Sequence, residues 1–234
     1  NEALDHAGIV NLAKVEIHLI DAVKITKANV AKILKSYQAV LVPGGFGSRG
    51  IEGMIFACEF ARKNKLPYFG ICLGMQIAII EFSRNVLKLK NANSTEFNIE
   101  TKYPVIGLVT EWKDASGKIE HRDENSNLGG TMRLGGQKCL VKRNSLSHKL
   151  YKKLTITERH RHRYEVNPDY KNELISGGMD IVGTSLDGNL AEMIEIKKHP
   201  WFLGCQFHPE FTSNPRDGHP IFNDFIAKAI KIKR

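Results

Sequence analysis

The stretch Leu66-Pro67-Tyr68-Phe69-Gly70-Ile71-Cys72-Leu73-Gly74 decides the fold of this chain. It joins an apolar run, which predicts a buried strand, to the helical pattern of residues 75–84. The two glycines admit the tight backbone that a strand-to-helix turn requires, so the thiol of Cys72 is expected to point outward. The N–H groups at the helix start are expected to lower its pKa. The pattern predicts a nucleophile elbow, and its competitor is a buried cysteine flanked by glycines through chance.

Strand and helix patterns alternate through the first part of the chain. Such alternation predicts βαβ crossovers and therefore an α/β fold with a mostly parallel central sheet, flanked by helices and carrying ligands at the carboxyl ends of its strands. A β-rich insertion follows residue 90. The predicted strands are 15–20, 39–42, 66–71, 105–110, 138–141, 190–196 and 201–207. The predicted helices are 1–8, stopped by Gly8, then 27–35, 51–64, 75–84 and 219–233, and residues 123–136 are predicted to form a long loop.

A second cluster lies far along the chain, in Cys205-Gln206-Phe207-His208-Pro209-Glu210. In an extended segment, residues two apart project to the same side, so His208 and Glu210 are available together at the end of an apolar run. A cysteine nucleophile needs a base and a carboxylate that orients the base. Cys72, His208 and Glu210 are therefore predicted to form a catalytic triad.

Composition narrows the class of protein. The 234 residues, 42% hydrophobic and 25% charged, suit one α/β domain over residues 1–234. Four cysteines without compact spacing favour a reduced, cytoplasmic compartment. No apolar stretch approaches the roughly 18 residues of a membrane span. A net charge of +9 could attract nucleic acid, membranes or phosphorylated ligands, but the scattered lysines favour an ordinary solvated surface. We expect no DNA, RNA or membrane partner.

The segment Gly45-Phe46-Gly47-Ser48-Arg49-Gly50 matches the G-x-G-x-x-G pattern of dinucleotide sites. Such sites also need an acidic residue about 20 positions later, where this chain has Gly70. The glycines are better explained as donors of backbone N–H groups to an oxyanion beside the elbow.

The alternation Arg159-His160-Arg161-His162-Arg163 would place arginines on one face of a strand and histidines on the other. Metal binding by His160 and His162 needs a third ligand, and a nucleic-acid stripe needs interleaved aromatic residues. Neither is visible, so no metal site is predicted. A charged edge strand and an arginine fork for a substrate carboxylate both remain open.

Three motifs together resemble those of the class I glutamine amidotransferases. They are Pro43-Gly44-Gly45-Phe46-Gly47, Gly70-Ile71-Cys72-Leu73-Gly74-Met75-Gln76 and His208-Pro209-Glu210. Residues 91–97, 129–135, 159–167, 205–211 and 215–220 resemble, more narrowly, the C-terminal glutaminase domains of CTP synthases. The resemblance runs through nearly the whole chain.

The resemblance implies that Cys72 attacks the side-chain amide of glutamine, with His208 moving protons and Glu210 holding the imidazole. It implies an oxyanion hole formed by the N–H groups of Gly45 and Leu73. Glu96 and Arg163 suit the α-ammonium and α-carboxylate of glutamine by charge. The full set of implied glutamine-binding residues is Gly45, Leu73, Gly74, Met75, Gln76, Glu96 and Arg163.

The resemblance also implies a larger enzyme. In it, a synthetase domain uses the ammonia to convert UTP to CTP with ATP and Mg²⁺, GTP activates the glutaminase, and the full-length protein is a homo-oligomer. The chain has no G-x-x-x-x-G-K-[ST] phosphate loop, so the synthetase domain is expected to be missing here, and no cofactor is expected in this domain. The first strand of the family's glutaminase is also expected to be missing. Residues 123–136, with Arg133, are predicted to form a mobile lid that contributes to activation by the nucleotide.

Two other functions stay open on the sequence. A stand-alone cysteine hydrolase could act on γ-glutamyl or peptide bonds with the same triad. A non-catalytic binding module could carry an inert Cys72 and dock a partner through its basic surface.

Overall fold

The computed structural model describes residues 1–108, 111–113, 119–121 and 132–232, with no side chains described for 111–113 and 119–121. Its helices are α1 (Glu2–Val10), α2 (Val30–Leu34), α3 (Ile51–Lys63), α4 (Leu73–Asn85), α5 (Leu146–Tyr151), α6 (Lys171–Gly177) and α7 (Pro220–Ala229). Its strands are β1 (Val40–Val42), β2 (Tyr68–Ile71), β3 (Asn93–Ser94), β4 (Pro104–Leu108), β5 (Glu111–Lys113), β6 (Ile119–His121), β7 (Arg133–Val141), β8 (Thr155–His162), β9 (Tyr164–Val166), β10 (Met179–Thr184), β11 (Ala191–Ile196) and β12 (Phe202–Cys205). Short 3-10 turns cover Ala22–Lys24, Pro168–Tyr170 and Pro209–Thr212.

A seven-stranded sheet in the order β1-β2-β12-β11-β10-β7-β8 forms the centre of the fold. Strands β1, β2 and β12 pair in parallel, as the sequence predicts, and the remaining strands continue the sheet antiparallel. The α/β class with flanking helices is confirmed, although the sheet as a whole is mixed. Part of the predicted β-rich insertion extends this sheet, and the rest forms two small sheets, β3-β4-β9 and β5-β6.

Apolar clusters cover both faces of the central sheet. Adjacent residues of a strand point to opposite faces, so Tyr68 and Phe69 on β2 enter different clusters. Helix α4 packs in the first cluster, where its residues from Leu73 to Ser83 are all buried. Phe222 and Phe225 of α7 pack against Phe69 in the second. Strand β2 is thus held between two packed layers, which fixes the position of the residue at its carboxyl end.

Two predictions for the start of the chain are wrong. Residues 15–18 alternate between half-buried and exposed positions, but Leu19 is exposed as well. Residues 15–20 form no strand because no neighbouring strand pairs with their backbone in the described structure. Helix α1 does not stop at Gly8 but continues to Val10, and Asn11 then caps it by donating from Nδ2 to the carbonyl of Ala7. Gly8 instead permits close packing, since a Cβ there would lie 2.8 Å from the carbonyl oxygen of Ala13.

The prediction of a loop over residues 123–136 is wrong for its last four residues. Residues 133–136 belong to strand β7, where they pair with β8. Residues 123–131 lie outside the described residues. Within the described parts of the chain, every helix falls short of the length and apolar character that crossing a membrane requires.

Candidate active site

Cys72 links β2 to α4 through a strained backbone. Its φ of 52° and ψ of −103° lie in a region that a residue with a side chain rarely occupies. The neighbouring glycines make this turn possible, because a Cβ on Gly70 would lie 2.5 Å from the carbonyl of Gly74, and one on Gly74 would lie 2.0 Å from the oxygen of Val42. The Tyr68 hydroxyl donates to the Gly74 carbonyl over 2.8 Å. The backbone therefore forms the elbow that the sequence predicts.

His208 and Glu210 lie just beyond the end of β12. The imidazole Nδ1 of His208 is 2.7 Å from Oε1 of Glu210. The backbone N–H of His208 donates to the carbonyl of Arg159 on β8, over 2.8 Å. With Nδ1 facing the carboxylate, Nε2 is the nitrogen that remains to exchange protons, and it is buried without a hydrogen-bond partner among the described residues.

The chain brings Cys72 and His208 together around Gly44. Strands β2 and β12 are parallel neighbours, and the N–H of Cys72 donates to the carbonyl of Cys205 over 2.7 Å. A Cβ on Gly44 would lie 2.7 Å from Cε1 of His208 and 3.5 Å from Cβ of Cys72. Three segments that are far apart in sequence therefore meet at one edge of the sheet.

Burial raises the pKa of the Cys72 thiol to about 12, which differs from the lowered pKa expected at a helix start. A hydrogen bond from the Leu73 N–H acts in the expected direction, but desolvation outweighs it. The negative charges of Glu210 and Glu96 act in the same direction as burial and are included in this value. The thiol therefore keeps its proton at neutral pH, and a nucleophilic attack needs a base such as Nε2 of His208.

The glycine loop 44–47 lies against both the elbow and Glu96. A Cβ on Gly45 would approach Cδ2 of Leu73 to 3.1 Å, so the two residues implied to form the oxyanion hole are neighbours. The N–H of Gly47 donates to Oε1 of Glu96 over 3.0 Å. This contact places a carboxylate beside the loop, although the two are far apart in sequence.

Arg163 lies at the bend between β8 and β9, half-buried. Burial chiefly raises the pKa of the Tyr164 phenol, Glu96 raises it as well, and the positive charge of Arg163 lowers it. Glu96 and Arg163 therefore both influence the Tyr164 phenol, and their opposite charges shift its pKa in opposite directions. A ligand with an ammonium and a carboxylate group fits such a pair.

Two glutamines connect the elbow to β9. The buried Gln76 donates from Nε2 to the Tyr164 carbonyl over 2.8 Å and to Oε1 of Gln206 over 3.2 Å, and Nε2 of Gln206 lies 3.7 Å from Sγ of Cys72. Gln206 lowers the pKa of Cys72 and was missed by the sequence reasoning. Its signal was a polar side chain inside the apolar run that precedes His208. Met75 is fully buried, so its side chain belongs to the core.

A buried ionic cluster lies behind the site. Arg133, at the start of β7, donates to Glu165 over 2.9 Å and to Glu192 over 2.8 Å. Nδ1 of His160 and Nε2 of His162 are 2.8 Å apart, and burial lowers the pKa of both rings. In the described part of the chain no three potential ligands form a metal-binding group.

The alternation on β8 produces the charged edge strand that was one of the two open interpretations. Strand β8 ends the central sheet, with Arg159 and Arg161 exposed and His160 and His162 buried. The Arg161 guanidinium lies 5.9 Å from the ring centre of Phe46 in the glycine loop. The exposed Arg161 thus lies beside the glycine loop of the site.

Comparisons with known proteins give the family and the fold of the chain. The family model described as glutamine amidotransferase class-I matches residues 1–228. The glutaminase domain of Trypanosoma brucei CTP synthase, solved with bound acivicin, is 34% identical and has a TM-score of 0.88, over 100% of this chain and 87% of that one. A Thermoplasma acidophilum protein described as part of a GMP synthase is 16% identical with a TM-score of 0.54, over 97% of this chain and 87% of that one, which shows a likeness of fold alone.

Proposed function

The chain belongs to the class I glutamine amidotransferase family, and we propose that it is the glutaminase domain of a CTP synthase, which hydrolyses glutamine to glutamate and ammonia. The observation that carries the proposal is the meeting of Cys72 with a His208 ring whose Nδ1 is 2.7 Å from Glu210. The 34% identity to a CTP synthase glutaminase domain supports the narrower assignment.

The first chemical step is proton transfer from the Cys72 thiol to Nε2 of His208. A thiol with a pKa of about 12 is a weak nucleophile until this transfer occurs, and Glu210 stabilises the imidazolium that results. The thiolate then adds to the side-chain carbonyl carbon of glutamine. The carbonyl oxygen becomes an oxyanion, which accepts hydrogen bonds from the N–H groups of Gly45 and Leu73.

The second half of the reaction uses the same groups in reverse. His208 gives its proton to the departing nitrogen, so ammonia leaves and a γ-glutamyl thioester remains on Cys72. Neutral His208 next takes a proton from water, which attacks the thioester. Glutamate leaves, and the proton returns to the sulfur of Cys72.

Charge complementarity supports the mode of glutamine binding. Glu96 suits the α-ammonium and Arg163 the α-carboxylate. Among the elbow residues, Gly74 would contribute a backbone group. The side chains of Met75 and Gln76 are buried, and their N–H groups already donate to the Cys72 carbonyl over 3.1 and 3.2 Å, so these two residues would shape the pocket by packing.

The wider role is part of the same proposal. Ammonia would pass to a synthetase domain of the same enzyme, which converts UTP to CTP with ATP and Mg²⁺ in a cytoplasmic homo-oligomer. GTP would stimulate the glutaminase, with residues 123–131 contributing and with Arg133 acting from its buried position on β7 rather than as part of a mobile lid. Loss of a buried ion pair would also weaken the fold, so Arg133→Ala must be judged by the ratio of GTP-stimulated to basal hydrolysis in the full-length enzyme. An unchanged ratio would exclude the regulatory role.

Ammonia release from glutamine, compared with release of products from γ-glutamyl peptides, tests the reaction. We expect turnover of glutamine, covalent labelling of Cys72 by acivicin at one equivalent per chain, and loss of both in Cys72→Ser. Hydrolysis of the peptides but not of glutamine would assign a stand-alone cysteine hydrolase. An unlabelled, inactive chain would favour a binding module.

A further inference from the structure

A buried carboxylate outside the catalytic groups accepts three hydrogen bonds. Glu158 of β8 is 4% exposed. Its Oε1 accepts from the Tyr151 hydroxyl over 2.8 Å and from Nε2 of His219 over 2.9 Å. Its Oε2 accepts from the Thr212 hydroxyl over 3.0 Å. The two oxygens therefore face different parts of the molecule.

Thr212 ends the Pro209–Thr212 turn, which carries Glu210. Its hydroxyl is shared between Glu158 and the carbonyl of Pro209, at 3.0 and 3.1 Å. The other end of the turn is held by the neighbouring residue of the same strand, since the N–H of His208 donates to the Arg159 carbonyl over 2.8 Å. Strand β8 thus holds both ends of the turn. It binds His208 through the Arg159 backbone and Thr212 through the Glu158 side chain.

The carboxylate is itself anchored by elements that do not form the site. Tyr151 ends α5, and His219 caps the start of α7. Nδ1 of His219 accepts from the N–H of Ile221, so Nε2 carries the proton that it donates to Glu158. Glu158 is fixed on one oxygen and presents the other to the turn.

We infer that Glu158 is a positioning residue for His208 and Glu210, acting through the hydroxyl of Thr212. The Pro209–Thr212 turn has few other anchors in the described structure, and the alignment of Nδ1 with Glu210 depends on where the turn lies. The inference rests on the proposed function, because it assigns these residues a part in glutamine hydrolysis. If Glu158 only stabilised the fold, removing any one of its hydrogen bonds would change the activity to a similar extent.

The test compares three variants of the same network. Thr212→Val removes the hydroxyl at a surface position and keeps the branched shape, Thr212→Ser keeps the hydroxyl, and Tyr151→Phe removes a bond to the other oxygen of Glu158. For Thr212→Val we expect kcat for ammonia release to fall about 10-fold with KM within about twofold, as for a small misplacement of catalytic groups. Thr212→Ser and Tyr151→Phe should keep kcat within about twofold, although Tyr151→Phe should lower Tm.

A pH profile gives a readout that stability alone does not move. A carboxylate less well aligned with Nδ1 of His208 stabilises the imidazolium that forms during the reaction less well. The acid limb of kcat/KM in Thr212→Val should therefore move to lower pH than in the parent chain. The rate of labelling of Cys72 by acivicin should fall in parallel.

The outcomes separate the inference from its premise. If the parent chain hydrolyses glutamine and Thr212→Val does so with the same kcat and pH profile, the positioning role is wrong. Equal losses in Thr212→Val and Tyr151→Phe would also overturn it. A parent chain that neither releases ammonia nor reacts with acivicin would refute the proposed function, and the positioning role would fall with it.

Discussion

The backbone N–H of Cys72 donates to the carbonyl of Cys205 over 2.7 Å, three residues before His208. This hydrogen bond ties the elbow to the strand that delivers the imidazole. The distance between the thiol and the ring is thereby set by the sheet itself rather than by a flexible loop. Small changes around this tie should have large effects on turnover and small effects on binding.

Glu210→Gln should lower kcat for glutamine roughly 10²- to 10⁴-fold, because an amide cannot stabilise the imidazolium and no longer enforces the Nδ1–H tautomer. KM should change little. Steady-state ammonia release measures both constants. Glu100→Gln, at an exposed position, is the matched control and should behave as the parent. Equal activity of the two variants would remove Glu210 from the triad.

Gly44→Ala should reduce turnover by about 10²-fold, since displacing a catalytic group by about 1 Å can cost that much. The new methyl group would lie 2.7 Å from Cε1 of His208, so the ring has to move. Gly107→Ala is the control, because a Cβ there meets nothing within 4 Å. If Gly44→Ala kept full kcat, the packing of His208 over Gly44 would be incorrect.

Alkylation of Cys72 by iodoacetamide should accelerate steadily with pH. Because burial raises the thiol pKa to about 12, the reactive thiolate fraction should grow about tenfold per pH unit from pH 7 to about 10. Peptide mass spectrometry can follow the rate at this cysteine alone. In the urea-unfolded chain the rate should level off near the ordinary thiol pKa of 9.0. A plateau below pH 8 in the folded chain would mean that the resting sulfur is already a thiolate.

Arg133→Met should lower the free energy of unfolding by about 3–5 kcal/mol, since it leaves Glu165 and Glu192 buried without their cation. Equilibrium urea unfolding measures the change. Lys14→Met breaks an exposed pair with Glu16 and should cost less than about 1 kcal/mol. Comparable effects of the two variants would show that the buried cluster contributes no more than a surface pair.

Local patterns in the sequence are sufficient to predict the elbow and the His208–Glu210 pair. Glycine spacing around Cys72 and the two-residue step to Glu210 are constraints that act within a few residues. The parallel strands β1, β2 and β12 also followed from apolar runs. These features need no knowledge of which distant segments meet.

The pairing of segments that are distant along the chain could not be predicted from the sequence. Strand β10 was not predicted, and residues 15–20 were predicted as a strand although they lack a partner strand in the described structure. Arg133 sits in a glycine-rich stretch that suggested a loop, yet it is buried because two distant glutamates neutralise it. The raised pKa of Cys72 could not be predicted for the same reason. Desolvation depends on how the whole site packs, whereas the sequence reveals only the local effect of the helix start.

The outermost strand has a further consequence for the chain in concentrated solution. Strand β8 pairs on one side with β7, and its exposed positions carry Arg159 and Arg161. A second molecule that tried to extend the sheet in an antiparallel sense would bring guanidinium groups against each other. Such repulsion discourages aggregation along this edge, where the Arg159 carbonyl already accepts from the N–H of His208, and the three-residue β1 offers little template at the opposite edge.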